Sequence, residues 1–407
     1  MNSKLLPQLQ DIINAKIATL KNFSSIEWVN FKTWCKRLLI NSSAWSTHNT
    51  NFRYNLLHSK LTDLWDHDPL GEYPKVSEEL FRMEQERAQS LALKARVEFD
   101  RFVNMPSSVF TRLIKQRDKE NKIVLSNGSS LVHDRNNVAA ILCQHWTNIH
   151  RMTEVEFNQV FTSFIPKSPH TLDGPISEAE IKSVISKLRD NSSPGPDGFV
   201  PKFYKLFSDK LVPYLTKLYN SILLNKQPPP KDFKVALVRF IAKKGSDLTH
   251  PKGWRPISLL NFDSKILSGV LALRLQSVLP SMTSNTAYIP NRFILENVLN
   301  LEAYFKLNLG GNFAFMSDFN NAFDTLNHKW IIHVIENAGL GQFFLNAVKF
   351  LLQDMKAFPI IESSPTKHSF NLQAGVRQGD PLSGLLFILC IESLVRASNL
   401  LCSRTLA

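Results

Sequence analysis

The amino-acid sequence predicts an α+β protein, in which a mostly helical region precedes a region where helices alternate with short strands. Apolar residues recur at helical spacing in the first region, most clearly over residues 77–102. Short runs of β-branched and aromatic residues, such as residues 235–242, indicate strands in the second region. A stretch rich in glycine and proline, residues 171–175, separates the two.

The size and charge of the chain limit the classes of protein that are possible. A chain of 407 residues with 43% hydrophobic residues can bury one large or two medium cores. The net charge of +13 favours an anionic partner, because lysine and arginine release counterions when they bind phosphates. The same charge, spread over a long chain, is equally typical of a solvated basic surface.

Cysteine usage and hydropathy indicate an intracellular, soluble protein. The 4 cysteines are far apart and form no C-x-x-C pair, which argues against a disulfide framework. Cys143, His145 and His150 could ligate zinc, but a fourth ligand at suitable spacing is missing, so core or surface roles are preferred. The N-terminus has no signal-peptide pattern, and the longest uncharged apolar stretch, residues 381–391, is too short to span a bilayer.

Two domains are predicted, residues 1–173 and residues 174–407. Within the first, Asn127-Gly128 lies between two short apolar runs and predicts a small hairpin near residues 123–133. The second begins with Ser177 and Glu180, which have the spacing of a capping box at the start of a helix. The further predicted elements are a strand over 235–242, an amphipathic helix over 264–279, a strand over 312–317, two strands over 358–362 and 370–373, and an apolar helix over 381–397.

Asp318 is the first candidate site residue, because it is predicted to leave an apolar strand just before a turn that carries Phe323 and Asp324. A carboxylate in such a place is rigidly held yet exposed. Nucleotidyl transfer needs carboxylates of this kind, since Mg²⁺ ions prefer hard oxygen ligands. Taken alone, an aspartate at a strand end is more often a turn residue, and Asp324 could cap the helix that follows.

A second candidate is the loop of residues 375–383, which has glycines on both sides of Arg377 and Gln378 and opens an apolar helix. Glycine lets the backbone approach a ligand closely, and a helix N-terminus presents free amides to anions. Arg377 and Gln378 are expected to add further donors. The pattern is also typical of an ordinary helix start, with Asp380 near the N-cap and Pro381 in the first turn.

A third candidate is the basic turn Lys243-Lys244-Gly245, followed one short loop later by Arg255. Arginine can bind phosphate oxygens with two hydrogen bonds, and lysine adds a point charge. A hairpin with both would suit a triphosphate. By itself, the same segment is typical of an exposed basic turn.

Four segments occur in order, Ser193-Pro-Gly-Pro-Asp-Gly198, Arg255-Pro-Ile-Ser-Leu259, Asp318–Asp324 and Gly375–Ser383. Together they resemble the successive fingers and palm motifs of LINE-type (non-LTR retrotransposon) reverse transcriptases. The resemblance covers about residues 177–397 and is looser upstream. It implies a right-hand polymerase fold of which this chain has the fingers and part of the palm, with an RNA template, a DNA primer and deoxynucleotides as partners, no membrane, and a location in the nucleus or cytoplasm.

The resemblance also implies roles for individual residues. Asp318 is the expected catalytic aspartate, and it would bind Mg²⁺ together with the backbone carbonyl of Phe319. The Phe323 ring would lie under the sugar of the incoming nucleotide and exclude a 2′-hydroxyl. The full set expected to bind nucleotide is Lys243, Lys244, Arg255, Phe319, Phe323, Gln378 and Gly379.

The chain also departs from the family. It has no two adjacent aspartates anywhere, whereas the family completes its metal site with an Asp-Asp strand hairpin, and the thumb is missing as well. Because one carboxylate cannot hold two Mg²⁺ ions, we expect a shortened copy that is inactive alone. Two alternatives stay open, a non-catalytic nucleic-acid-binding remnant and a relic that does not fold stably. Milder departures are Asn285, Asn291, Asn321 and Gly384, the last in place of a proline and expected to loosen the first helical turn.

Overall fold

A computed structural model describes residues 5–67, 72–95, 123–306 and 316–404. The chain divides into two compact units, residues 1–16 with 30–123 and residues 17–29 with 124–407. The described helices, in chain order, are α1 (Leu5–Ala18), α2 (Ser25–His67), α3 (Tyr73–Ala95), α4 (Arg135–Ile149), α5 (Gln159–Ser163), α6 (Glu178–Lys187), α7 (Pro201–Leu206), α8 (Ser208–Leu223), α9 (Phe262–Met282), α10 (Ile294–Lys306), α11 (His328–Ala338), α12 (Gln342–Leu352) and α13 (Ser383–Arg404). The strands are β1 (Leu125–Ser126), β2 (Leu131–Val132), β3 (Val235–Ala242), β4 (Trp254–Leu260), β5 (Lys356–Ile361), β6 (Ser364–Pro365) and β7 (Phe370–Asn371).

In the first unit, polar contacts join α2 to α3. Arg53 forms an ion pair with Glu79, and the Tyr54 hydroxyl donates to Glu84 over 3.0 Å. The helix predicted over 77–102 is present as far as Ala95, and its remainder lies outside the described residues.

The longer segment of the second unit begins with the predicted hairpin, in which β1 pairs antiparallel with β2. The Asn127 side chain accepts hydrogen bonds from the backbone of Ser129 and Ser130, and Gly128 takes a φ of +95°. The loop is thus a four-residue turn closed by an Asx contact. A two-residue turn with two positive φ angles, for which Asn-Gly is best known, is not formed.

Residues 124–173 pack within the second unit. The Ser168 amide donates to the Ala338 carbonyl over 2.7 Å, and the Leu172 amide donates to the Leu340 carbonyl over 2.8 Å. The compact units therefore do not divide at residue 173, and the predicted functional domains with that border stay a prediction.

The capping box at the start of α6 is confirmed, since the Ser177 and Glu180 side chains each bond the other's backbone amide. Glu180 also accepts from Arg274 Nε on α9 over 2.5 Å. The prediction of an amphipathic α9 is wrong, because the helix is buried on nearly all sides between α6, α12 and α13. A helix in the middle of a layer needs no polar face.

A five-stranded mixed sheet forms the centre of the second unit, with the order β4-β3-β5-β6 and with β7 also paired to β5. β3 pairs antiparallel with β4 and parallel with β5. The α+β class is thereby confirmed, while the segment predicted as two strands over 358–373 forms three short strands. Of the strand predicted over 312–317, residues 312–315 lie outside the described residues, and Met316 and Ser317 are irregular.

Within the described residues, one helical window, Ser383–Leu400 of α13, is long and apolar enough to cross a membrane by length and composition. More than half of that window is buried inside the fold, as in the core helix of a soluble protein. Glu392 lies within it and accepts a hydrogen bond from the Thr283 hydroxyl over 2.6 Å.

Candidate functional site

The β3–β4 hairpin brings the predicted basic residues to one end of the sheet. Lys243 and Lys244 follow β3 directly, and Arg255 on β4 pairs with Ile241 near the same end. The Lys243 amide donates to the Gly253 carbonyl over 2.8 Å and extends the ladder by one residue. Lys244 and Arg255 are exposed and Lys243 is half-buried, so two of the three charges face solvent fully.

The loop of residues 375–380 is attached to this hairpin. The Ser258 amide on β4 donates to the Gln378 carbonyl over 2.8 Å. Gly379 takes a φ of +112°, and a Cβ on it would lie 2.7 Å from the Ser258 carbonyl oxygen. The close approach of two backbones explains this glycine. Three of the residues predicted to bind nucleotide, Arg255, Gln378 and Gly379, therefore lie on two segments that a backbone hydrogen bond joins.

Asp324 connects the aspartate turn to the same loop. The Gln378 side-chain amide donates to both carboxylate oxygens of Asp324, over 3.1 and 3.0 Å. Asp324 is only 4% exposed. Burial raises the pKa of its carboxyl group to about 6, while the Gln378 amide and the Lys243 charge oppose that rise. The prediction that Asp324 caps the next helix is wrong, since the Asn327 side chain accepts from the first amides of α11.

At Gly375 the backbone of the 375–380 loop contacts the backbone of residues 323–326. The Gly375 amide donates to the Leu326 carbonyl, and the Val376 amide donates to the Phe323 carbonyl, each over 2.7 Å. Gly375 has a φ of +85°, and a Cβ there would lie 2.4 Å from the Asp324 carbonyl oxygen. No side chain fits at this position without moving backbone.

Arg377 was expected to offer a donor to a ligand, and the structure contradicts this. Its side chain is buried and forms an ion pair with Asp380 over 3.1 Å. Asp380 also accepts from the Leu382 amide over 3.0 Å, as expected near a helix start. The buried ion pair between Arg377 and Asp380 thus stabilises the loop.

Three phenylalanines pack together, and one of them, Phe319, directly follows Asp318, which is itself exposed. Phe323 stacks on Phe387 of α13 with ring centroids 5.0 Å apart. Phe319, 45% exposed, approaches the same Phe387 ring edge-on at 6.2 Å. Sequence reasoning missed Phe387, because within a run of apolar helix residues nothing distinguishes it from core.

Gly384 makes room for Tyr288. A Cβ on Gly384 would lie 2.8 Å from the Tyr288 ring. The glycine that was expected only to loosen α13 therefore permits a ring to pack against the helix.

The fit of a divalent ion to these residues is partial. Asp318 offers an exposed carboxylate next to the Phe319 backbone, while the Asp324 carboxylate is buried and bonded to Gln378. In the part of the chain that the structure describes, no group of three or more His, Cys, Asp or Glu side chains could hold a metal ion. The described residues alone therefore do not fit a centre with two metal ions.

Comparison with known proteins gives a family match and several similar proteins from transposable elements. Residues 241–403 match the family described as "Reverse transcriptase (RNA-dependent DNA polymerase)". A 149 kDa protein of transposon TX1 from Xenopus laevis is 33% identical over 226 residues, which is 54% of this chain and 17% of that protein.

Two further relatives are retrotransposon proteins from insects. The Pol polyprotein of the type-1 retrotransposable element R2 from Bradysia coprophila is 29% identical over 58% of this chain, and the RNA-directed DNA polymerase of mobile element jockey from Drosophila funebris is 27% identical over 56%. The matches span 26% and 25% of those two proteins.

Proposed function

Since this chain carries a reverse transcriptase domain of the non-LTR retrotransposon type, we propose that it supplies the nucleotide-binding part of an RNA-directed DNA polymerase. One observation carries the proposal: the backbone hydrogen bond from Ser258 to Gln378 joins the strand that bears Arg255 to the glycine loop. Arg255 and Gly379 are both exposed on these two joined segments, and a cationic side chain near accessible backbone amides is the chemistry that binds a triphosphate.

Within this proposal, Arg255 with Lys243 and Lys244 binds the triphosphate, and Gln378 and Gly379 form the wall of the pocket. The β3–β4 hairpin then belongs to the fingers, and the Asp318–Asp324 turn, the glycine loop and α13 belong to the palm. The Phe323 ring, supported by Phe387, lies under the deoxyribose. An RNA template and a DNA primer are the proposed macromolecular partners.

Asp318 and the Phe319 carbonyl are the proposed ligands of Mg²⁺, which in polymerases stabilises the attacking and leaving oxygens. Because the described residues do not complete a two-ion site, we propose that the 407-residue chain by itself binds substrates and does not extend primers.

Primer extension on an RNA template tests this. The 407-residue chain is compared with a version extended downstream by a segment that carries the family's two adjacent aspartates. We expect synthesis only by the extended protein, and Asp318→Ala in that protein should abolish it. Extension by the 407-residue chain would disprove its inactivity. Salt-sensitive binding of template without any extension by either protein would favour a non-catalytic binder, and an aggregated product would favour an unstable relic.

Nucleotide binding by the 407-residue chain tests the pocket directly. Arg255→Ala should weaken dATP binding at least about tenfold, because a charged hydrogen bond to phosphate contributes roughly 1.5–3 kcal/mol. Arg189→Ala is the matched control, since Arg189 is also an exposed arginine but follows α6. Titration by fluorescence or calorimetry gives both affinities.

Two results of that titration would contradict the proposal. Equal losses for both arginine variants would mean that binding follows total charge and not a site at Arg255. Equal affinities of the unchanged protein for ATP and dATP would count against the role of Phe323 in excluding a 2′-hydroxyl.

A further inference from the structure

His150, just after the C-terminus of α4, is hydrogen-bonded to Ala374, the residue that precedes the glycine loop of residues 375–380. It is 2% exposed, and its Nδ1 lies 2.9 Å from the Ala374 carbonyl oxygen. The His150 ring stacks on Phe370 with centroids 5.8 Å apart and 10° between the planes. The imidazole is therefore held in one orientation, with Nδ1 towards the residue that precedes Gly375.

The backbone of His150 adds two further bonds to the same segment. Its carbonyl oxygen accepts from the amides of Gln373, over 3.1 Å, and Ala374, over 2.8 Å. The Asp324 backbone carbonyl also lies beside the His150 ring and favours its protonated form. One residue thus contacts both the glycine loop and the aspartate turn, which are the two segments that Gln378 and Asp324 join on the other side.

The proton on the imidazole follows from its surroundings. A carbonyl oxygen can only accept, so the bond to Ala374 requires a hydrogen on Nδ1. The pKa of His150 is lowered to about 4, chiefly by burial and to a smaller extent by the neighbouring His328. The Ala374 and Asp324 carbonyls oppose that change. At neutral pH the ring is uncharged and has one N–H, which the bond to Ala374 uses.

We propose that His150 is a positioning residue, whose Nδ1–H sets residues 374–380 in the conformation that binds nucleotide. The proposal rests on the nucleotide-binding function proposed above and extends it to a residue outside the matched region, 241–403. It also gives His150 a role other than zinc ligation.

Three substitutions distinguish the effect of the Nδ1–H hydrogen bond from that of the stacked ring. His150→Phe keeps a ring against Phe370 and removes the donor, so dATP binding should weaken about tenfold. Hydrogen exchange of the Gly375 and Val376 amides should become faster at the same time. His150→Asn places an amide N–H near the position of Nδ1 and should restore both properties, whereas His150→Gln places it near Nε2 and should not.

His333→Phe is the matched control. His333 is also stacked on a phenylalanine, Phe157, with centroids 4.3 Å apart, and its Nε2 lies 3.0 Å from the Thr162 hydroxyl oxygen. Among the described residues, His333 contacts Phe157, Thr162, Trp330 and Asn337, all outside residues 374–380. Its substitution should therefore leave exchange in that loop unchanged. Faster loop exchange in both phenylalanine variants would indicate general loosening and overturn the specific role.

A measurement on the unchanged protein keeps the proposal testable if the variants do not fold. Nitrogen-15 spectra of labelled histidine at pH 7 should show His150 as the neutral tautomer with the proton on Nδ1. A proton on Nε2 would overturn the proposal, as would failure of His150→Asn to restore binding. If the unchanged protein binds no nucleotide although loop exchange responds to His150→Phe, the proposed function fails and the positioning of the loop stands.

Discussion

Gly375→Ala is expected to lower the free energy of unfolding by at least about 3 kcal/mol and to abolish nucleotide binding. An L-residue at a φ of +85° costs roughly 1–2 kcal/mol. The added methyl would also lie 2.4, 2.7 and 2.9 Å from three backbone atoms of Asp324. Backbone cannot rotate away as a side chain can, so the bonds from Gly375 to Leu326 and from Val376 to Phe323 should break. Chemical denaturation and dATP titration measure the two effects.

Gly128→Ala separates the two causes. Gly128 has a similar φ of +95°, but no atom lies within 4 Å of the position of its Cβ. We expect this control to cost only the backbone term, about 1–2 kcal/mol, and to keep nucleotide binding. Equal costs for the two alanines would show that the contact between Gly375 and Asp324 does not stabilise the site.

Asp324→Asn is expected to stabilise the protein by about 2 kcal/mol at pH 8 and to have no stabilising effect below pH 4. The folded protein holds this carboxyl group with a pKa of about 6, above its ordinary value of 3.8. Between these values the folded state binds more protons than the unfolded state, so this group's contribution to stability falls as pH rises from 3.8 to 6. Each tenfold difference in proton affinity corresponds to about 1.4 kcal/mol. The asparagine oxygen can still accept from Gln378, and its unpaired N–H offsets about 1 kcal/mol of the gain.

The difference between variant and unchanged protein, measured by denaturation at several pH values, isolates this effect. His150 acts in the opposite sense, because its lowered pKa removes stability as pH falls from 6.5 to about 4, but it is the same in both proteins. Asp318→Asn is the control for the same exchange of carboxyl for amide at an exposed position. A destabilised Asp324→Asn protein at pH 8, or a difference independent of pH, would contradict the assigned environment.

Elements with short-range signals were predicted well. The Ser177 capping box, the strand over 235–242 and the hairpin near Asn127 each depend on neighbours a few residues away, and each is present. Two of the predictions that were wrong concern burial. Arg377 and α9 had the residue types of a ligand contact and an amphipathic helix, but the packing around them placed both inside the fold.

The sequence by itself determined the family of the domain, through four motifs in order, and which residues are candidates for binding nucleotide. Only the tertiary structure decided how those residues are held. The bonds from Gln378 to Asp324 and from His150 to Ala374 join positions 54 and 224 residues apart. No local periodicity encodes such pairs, because they depend on how the sheet and its surrounding helices bring distant turns together. The same packing, by excluding water, raises the pKa of Asp324 and lowers that of His150.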